Sequence, residues 1–519
     1  MPGSQLDPPG SASGVESLGS DEIEDAKARR ALHEDTQELR RGVIVNSLGY
    51  LVKLAHPLLL VLVVREYGAA AFGVFTAANA ALLLALRLCL LGFDKGTLWM
   101  VSRSTVATER RGIVGVLWLS LGASSLSVIL LTSMGLGWAA RWAGDPSARL
   151  ALGIMSLGLV PMALSEVLVA ACLGKRRMEA QVYVKEGVVP IGLVLSALIF
   201  HHVPGNLLGL ALAFIVSQLG GLAAAAILFG RVFAGSNWGE AERTIPRQVV
   251  RYSLPMGLSE VSNSLYQRMD LLFITAISSP SLVGVYAAVT QIGNSVRAIR
   301  RSFDPIVLAL FSKIGVRPDR SRLTAVFSYA TALVVSTQMP VFAFILVFSP
   351  WLLGLFGAGF EQGTSAAWAL CAFWIVNGAI GLNGAIVSGM GRSDWILFDV
   401  LLSVGVQAIL LLWWVPRFGL VGAACAVGAS YSIQNLVQLF QAKRVNGFLS
   451  YDQRVLAALS RAALAFAGMA AAWLLLGATP VLVQRVGSFL VFVLIQLPAL
   501  YRAWRGWAPA GLRPQQDLA

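Results

Sequence analysis

The sequence predicts an all-α polytopic membrane protein of about 14 transmembrane helices, two six-helix lobes followed by two further helices. Three observations carry that expectation. Apolar spans of roughly 20 residues, the length a helix needs to cross a bilayer core, recur along nearly the whole 519-residue chain. The basic residues are sorted by loop parity. With a cytosolic N-terminus, five of the 40 lie inside spans (Lys53, Arg87, Lys185, Arg268, Arg297) and five at the outer side (Arg65, Arg141, Arg149, Arg417, Arg485); the remaining thirty lie at the inner side, because basic loops resist translocation. Charged residues make up only 13% of the chain, against roughly 25% in a soluble protein. The net charge of +13 is therefore a topology signal, and no nucleic-acid partner is expected.

Taken in order, residues 1–40 open with Gly, Pro and Ser and turn densely charged, which reads as a cytosolic, largely disordered segment. Residues 41–230 hold the first lobe, with spans near 43–64, 72–93, 112–137, 150–173, 181–200 and 206–230. Residues 231–251 are polar, without a long apolar run, and form a cytoplasmic linker. Residues 252–442 hold the second lobe, with spans near 253–277, 281–301, 324–349, 364–390, 394–416 and 419–441. Residues 443–519 add spans near 461–479 and 481–501 and a basic cytoplasmic tail. The outer gaps are short, with no room for a catalytic domain. Cys89, Cys172, Cys371 and Cys425 all fall inside spans without metal-ligand spacing and read as packing residues.

An internal repeat supports the two lobes. Gly73-Val-Phe75 before the second span matches Gly284-Val-Tyr286 before the eighth. Arg87, Phe93, Asp94 and Arg103 match Arg297, Phe303, Asp304 and Lys313, each pair 210 residues apart. Six helices per repeat keep both halves in one orientation, related by a pseudo-twofold axis along the membrane normal with a path between them.

Three patches, Arg251-Tyr-Ser-Leu-Pro255, Arg268-Met-Asp270 and Gly284-Val-Tyr-Ala-Ala288, resemble the seventh and eighth helices of polysaccharide-type flippases. These form a branch of the multidrug, oligosaccharidyl-lipid and polysaccharide exporter superfamily. Leu355-Phe-Gly-Ala-Gly-Phe360 and Ser388-Gly-Met-Gly-Arg392 resemble other patches of that family. The resemblance runs from about Arg41 to Gln441. It implies a V-shaped pair of bundles around a cavity that opens alternately to each side, exporting a lipid-linked oligosaccharide.

Ionisable groups within a span are costly unless a wet cavity or a partner receives them, so they are the candidates for the site. Helical steps of three and four align Asn46, Tyr50 and Lys53 in the first span, and Asn79 and Arg87 in the second. They align Glu260, Asn263, Gln267 and Asp270 in the seventh span, with Arg268 just off that face, and Tyr286, Thr290, Arg297, Arg300 or Arg301, and Asp304 in the eighth. Lys53, Arg87, Arg268 and Arg297 suit an anionic diphosphate headgroup, arginine gripping phosphate with two donors. Asn46, Asn79, Asn263 and Gln267 suit sugar hydroxyls. For each arginine the bland alternative is snorkelling or a packing ion pair, Arg268 with Asp270 or Glu260. Glu166, Glu260 and Asp270 are the ion-coupling candidates, with Na+ or H+ as the ion; Glu166 reads equally as a capped structural acid. Lys185 and Glu186 read as interfacial, and Trp138, Trp142, Trp351 and Trp413 as an outer aromatic belt.

No catalytic constellation and no nucleotide-binding loop stands out, so no enzyme activity, cofactor or metal is expected. The expected role is a flippase moving a polyprenyl-diphosphate-linked oligosaccharide to the outer leaflet of a bacterial inner membrane. Both termini would be cytoplasmic, and membrane lipids, a polysaccharide polymerase and glycosyltransferases would be partners. The rival readings are an ion-coupled multidrug exporter of the same superfamily and a membrane glycosyltransferase or polymerase.

Overall fold

A computed structural model of the chain describes residues 60–103, 106–144, 147–234, 245–314, 320–389, 393–446 and 453–505. Among them the chain is helical, with no strand. The helices are α1 (Leu60–Leu90), α2 (Phe93–Val101), α3 (Val106–Leu130), α4 (Leu136–Ala143), α5 (Ala148–Leu157), α6 (Leu159–Gly174), α7 (Glu179–Gln181), α8 (Val189–Phe200) and α9 (Asn206–Val232). The second half contributes α10 (Arg247–Ile277), α11 (Pro280–Ile314), α12 (Arg320–Gly354), α13 (Thr364–Ile380), α14 (Asn383–Gly389), α15 (Ser393–Asn446), α16 (Gln453–Leu475) and α17 (Val481–Arg505).

Ten described segments are long and apolar enough to cross a membrane, and the chain is a multi-pass membrane protein. Length and apolarity alone do not reach the expected count of fourteen, for physical reasons. Most of the first span, with Asn46, Lys53, His56 and Pro57, lies outside the described residues, as does the segment 1–40. Helices α10 and α11, of 31 and 35 residues, are long enough to span but carry too many polar groups to qualify. Helix α15 counts once although Gly419 (φ 54°, ψ −130°) divides it in two. Gly68, at φ 82°, breaks α1 in the same way.

Within the crossing helices the backbone pairs internally, as hydrocarbon requires. Hydroxyls fold back onto the preceding turn: Thr97 donates to the Phe93 carbonyl at 2.8 Å and Ser403 to the Asp399 carbonyl at 2.6 Å. Following the chain up and down sorts the helix ends onto two faces. Gly68, Gly205 and Gly419 lie at one. Lys95, Arg103, Lys175, Arg231, Arg247 and Lys443 collect at the other, called here the basic face.

Small residues let helices of the two halves meet backbone to backbone. Away from the basic face, a Cβ on Gly73 would fall 1.8 Å from the Pro280 carbonyl oxygen and 2.8 Å from the Gly284 nitrogen. A Cβ on Gly284 would fall 2.1 Å from the Ala69 carbonyl oxygen. These glycines open the two matching patches of the repeat, and their reciprocal contact is what an axis between the halves requires. Towards the basic face, a Cβ on Gly92 would lie 2.4 Å from the Ser253 carbonyl oxygen, and one on Gly257 2.2 Å from that of Leu91. Trp99 stacks on Tyr252 beside this contact, with ring centroids 5.1 Å apart. The halves are therefore in contact at both ends. Trp142, expected in the aromatic belt, donates its indole N–H to the Ser278 carbonyl at 2.9 Å and ties the first half to the second. Trp351 and Trp413 are exposed, as a belt needs.

Candidate functional site

The mid-span charges of the two halves have different fates. In the first half they neutralise one another. Lys185 lies 2.6 Å from Glu166, Arg87 lies 3.7 Å from Glu166 and 3.3 Å from Asp94, and Lys95 lies 3.9 Å from Asp94 and 3.8 Å from Glu260. This chain of pairs runs from Lys185 to Glu260 and crosses between the halves at its last step. Lys185, expected at the interface, is instead the closest partner of Glu166.

In the second half the repeat partners of that pair stay apart. Arg297 and Asp304 match Arg87 and Asp94, yet no salt bridge joins them. The backbone explains the divergence. Leu91 (φ 41°) and Gly92 (φ 79°) break the helix between Arg87 and Asp94 and bring the two side chains together. Helix α11 is unbroken from Pro280 to Ile314, so seven residues of it put Arg297 and Asp304 about 10 Å apart along the axis.

Arg297 lies over two aromatic rings instead, 4.6 Å from the Trp374 centroid and 4.3 Å from that of Tyr431. Tyr266 packs against Tyr431 at 4.4 Å. Together these four residues form a wall with a cavity on each side. The first cavity, a vestibule of about 200 Å³, lies between the halves. Its walls include Asn79 of α1, Gln267, Arg268 and Asp270 of α10, and Thr290 and Arg297 of α11. Asp270 accepts a 2.8 Å hydrogen bond from the Tyr286 hydroxyl, and no ion pair to Arg268 forms. Arg268 has no ion pair among the described residues, and its Nε is buried without a hydrogen bond.

The second cavity, a chamber of about 220 Å³, lies nearer the basic face inside the second half. Asn263, Arg300, Arg301, Asp304, Asn377 and Gln434 are among its walls. Helix α13 ends beside it: Gly381, at φ 103° and ψ −175°, separates α13 from α14. Asn435 donates to the carbonyls of Asn377 and Gly381 at 2.9 Å each, which meets the backbone groups the break exposes. Around the two cavities Arg268 Nε, Arg300 Nε, Asp304 Oδ1, Trp374 Nε1 and the Tyr431 hydroxyl are buried with no protein partner. Each such group costs about 1–3 kcal/mol unless water or a ligand meets it. Their clustering marks this wall as a place for a polar guest.

Comparison with known proteins agrees with this architecture. Residues 39–311, over half of the chain, match the family model described as polysaccharide biosynthesis protein. The chain belongs to that family. Among curated relatives, the probable low-salt glycan biosynthesis flippase Agl15 of Haloferax volcanii is 21% identical over 192 residues, which is 37% of this chain and 41% of that one. The chain thus matches about two fifths of that relative's length. The lipid II flippase MurJ in an inward closed conformation superposes with a TM-score of 0.69 at 13% identity, over 89% of this chain and all of that one. An inward-facing multidrug resistance MATE family transporter of the MOP superfamily superposes at 0.56 and 16% identity, over 79% of this chain and 99% of that one. These likenesses show that the chain shares the fold of these two proteins.

Within this family member the expected site residues divide. Asn79, Gln267, Arg268, Asp270 and Arg297 come together in the vestibule. Asn263 lines the chamber, and Arg297 lines both cavities. Arg87, Glu166 and Glu260 line neither cavity and are held by the paired charges described above. Asn46 and Lys53 lie outside the described residues. Trp374 and Asn377 of α13, and Tyr431, Gln434 and Gln438 of α15, join the walls without having been anticipated. Their signal is the same one that picks out α11: polar residues three and four apart, here at 431, 434 and 438.

Proposed function

We propose that the chain is a flippase that moves a polyprenyl-diphosphate-linked oligosaccharide from the leaflet at the basic face to the opposite leaflet by alternating access. The observation that carries this reading is the pairing of chemistries in one vestibule: Arg268 and Arg297, neither held by a carboxylate, beside the amides of Asn79 and Gln267. Guanidinium groups free of acidic partners suit diphosphate oxygens, and the amides suit sugar hydroxyls. An exporter of cationic compounds wants the opposite charge on these walls.

In this reading the basic face is cytoplasmic, the membrane is a bacterial inner membrane, and the product is a precursor of surface polysaccharide. Glycosyltransferases supply the substrate and a polymerase consumes it. A headgroup of charge about −2 leaving a negative interior gains about 2.3 kcal/mol per charge per 100 mV, so the membrane potential alone is a sufficient class of driving force. Of the three acids considered for coupling to Na+ or H+, Asp270 is the one on the vestibule wall, while Glu166 and Glu260 are engaged by lysine or arginine.

The test is rescue of surface polysaccharide in a bacterium lacking its own flippase of this class. The wild-type chain should restore it. Arg268→Gln, present at the same membrane level, should restore less than about a tenth, because a hydrogen bond to a charged group contributes about 1.5–3 kcal/mol. Full rescue by Arg268→Gln contradicts the assignment.

A further inference from the structure

We propose that the chamber on the basic-face side of the Arg297 wall is a second anion subsite, which receives an acidic sugar of the transported glycan. The proposal rests on the flippase reading and adds a substrate class to it. The vestibule accounts for Arg268 and one side of Arg297. It leaves Arg300 and Arg301 unused, although both line the chamber. Neither has a carboxylate within salt-bridge distance among the described residues. Arg300 spends one donor on the Gly381 carbonyl, at 3.4 Å, while its Nε is buried without a partner. With Arg297 and against Asp304, the chamber carries a formal charge of two positive.

Two sources of negative charge suit such a chamber, the diphosphate of the lipid and an acid on the glycan. Asp304 decides between them. A diphosphate offers acceptors and no hydroxyl donors of its own, so it leaves Asp304 Oδ1 unmatched. A uronic-acid-type sugar offers both: its carboxylate meets the guanidinium groups, and its hydroxyls can donate to Asp304 Oδ1, a buried acceptor with no protein partner. The other unmatched atoms, Trp374 Nε1 and the Tyr431 hydroxyl, can donate to ring and hydroxyl oxygens. Gln434 and Gln438 add amides to the same walls. Size agrees as well. At about 220 Å³ the chamber is smaller than the roughly 300–1,000 Å³ of typical ligand pockets, and it suits one sugar ring rather than a whole oligosaccharide.

Binding of three probes to the purified full-length chain in detergent tests the proposal: tri-galacturonate, the neutral galactotriose, and inorganic pyrophosphate. The acidic trisaccharide should bind at least about tenfold more tightly than the neutral one, and Arg301→Gln should weaken it at least about tenfold. Pyrophosphate should respond to Arg268→Gln and change less than about twofold with Arg301→Gln. Arg301→Lys keeps the charge without the planar fork and should give an intermediate loss for tri-galacturonate; it replaces the glutamine variant if that one unfolds. Equal binding of the neutral and acidic sugars overturns the proposal. So does an Arg301 variant that is folded and binds tri-galacturonate as the wild type does. Loss of pyrophosphate binding in Arg301→Gln, with tri-galacturonate spared, assigns the chamber to the diphosphate and also overturns it. Pyrophosphate insensitive to Arg268→Gln counts against the vestibule assignment alone.

Discussion

Replacing Arg297 by alanine reduces transport by about ten- to a hundredfold, the effect of losing one charge-assisted hydrogen bond of about 1.5–3 kcal/mol. Arg297 is singled out because it lines both cavities and lies over Trp374 and Tyr431, so in the flippase reading a group crossing the wall meets this guanidinium. Its cation–π contacts with the two rings restrain where its donors point. Arg297→Lys keeps the charge and loses the fork and the stacking, and should fall between alanine and wild type. The measurement is the initial transport rate in proteoliposomes at matched protein content, with thermal unfolding followed in parallel. Alanine transport at the wild-type rate would remove Arg297 from the path.

Leucine at Gly73 or Gly284 locks the vestibule open on the face away from the basic loops, and leucine at Gly257 does the opposite. The warrant is steric. Even a Cβ at Gly73 would stand 1.8 Å from a backbone oxygen, and the obstacle is helix backbone rather than a movable side chain. Overpacking of this sort costs about 1–3 kcal/mol or more, which shifts a two-state balance by about ten- to a hundredfold. If the chain works by alternating access, as proposed, each face must close in turn, and both substitutions stop the cycle while trapping different states. A cysteine placed at Thr290 on the vestibule wall, in a chain stripped of its four native cysteines, reports the state to a membrane-impermeant maleimide. Labelling from the face away from the basic loops should rise several-fold with Gly284→Leu and fall with Gly257→Leu. Unchanged labelling in both would mean that these glycine contacts do not gate access.

The class of the molecule is legible in its sequence because bilayer physics writes itself into composition, span length and loop charge. The polar stripe of α11 is legible for the same reason: in an unbroken helix, residues three and four apart share a face, and Thr290, Arg297 and Asp304 all line a cavity. Arg87 shows where that logic stops. It matches Arg297 in the repeat, yet a glycine at position 92, where the second half has Ser302, lets the backbone break and turns a free cation into a neutralised one. The Lys185–Glu166 pair depends on the register of two neighbouring helices, which no single-helix pattern contains. Tyr431, Gln434 and Gln438 obey the stripe rule within the twelfth span, but only packing brings that face against Arg297. The meeting of Gly73 with Gly284 is half visible: the repeat pairs them, and the structure adds that they touch.

The most direct test of the flippase reading is the movement of one glycan on two lipids in proteoliposomes, scored by exposure to an impermeant lectin. One lipid carries the oligosaccharide on a polyprenyl diphosphate, the other on an uncharged polyprenyl ether. The account predicts that the diphosphate lipid crosses at least about tenfold faster than the ether, and faster than in protein-free vesicles. Equal rates for the two lipids, or no movement beyond protein-free vesicles under an imposed membrane potential, would contradict it.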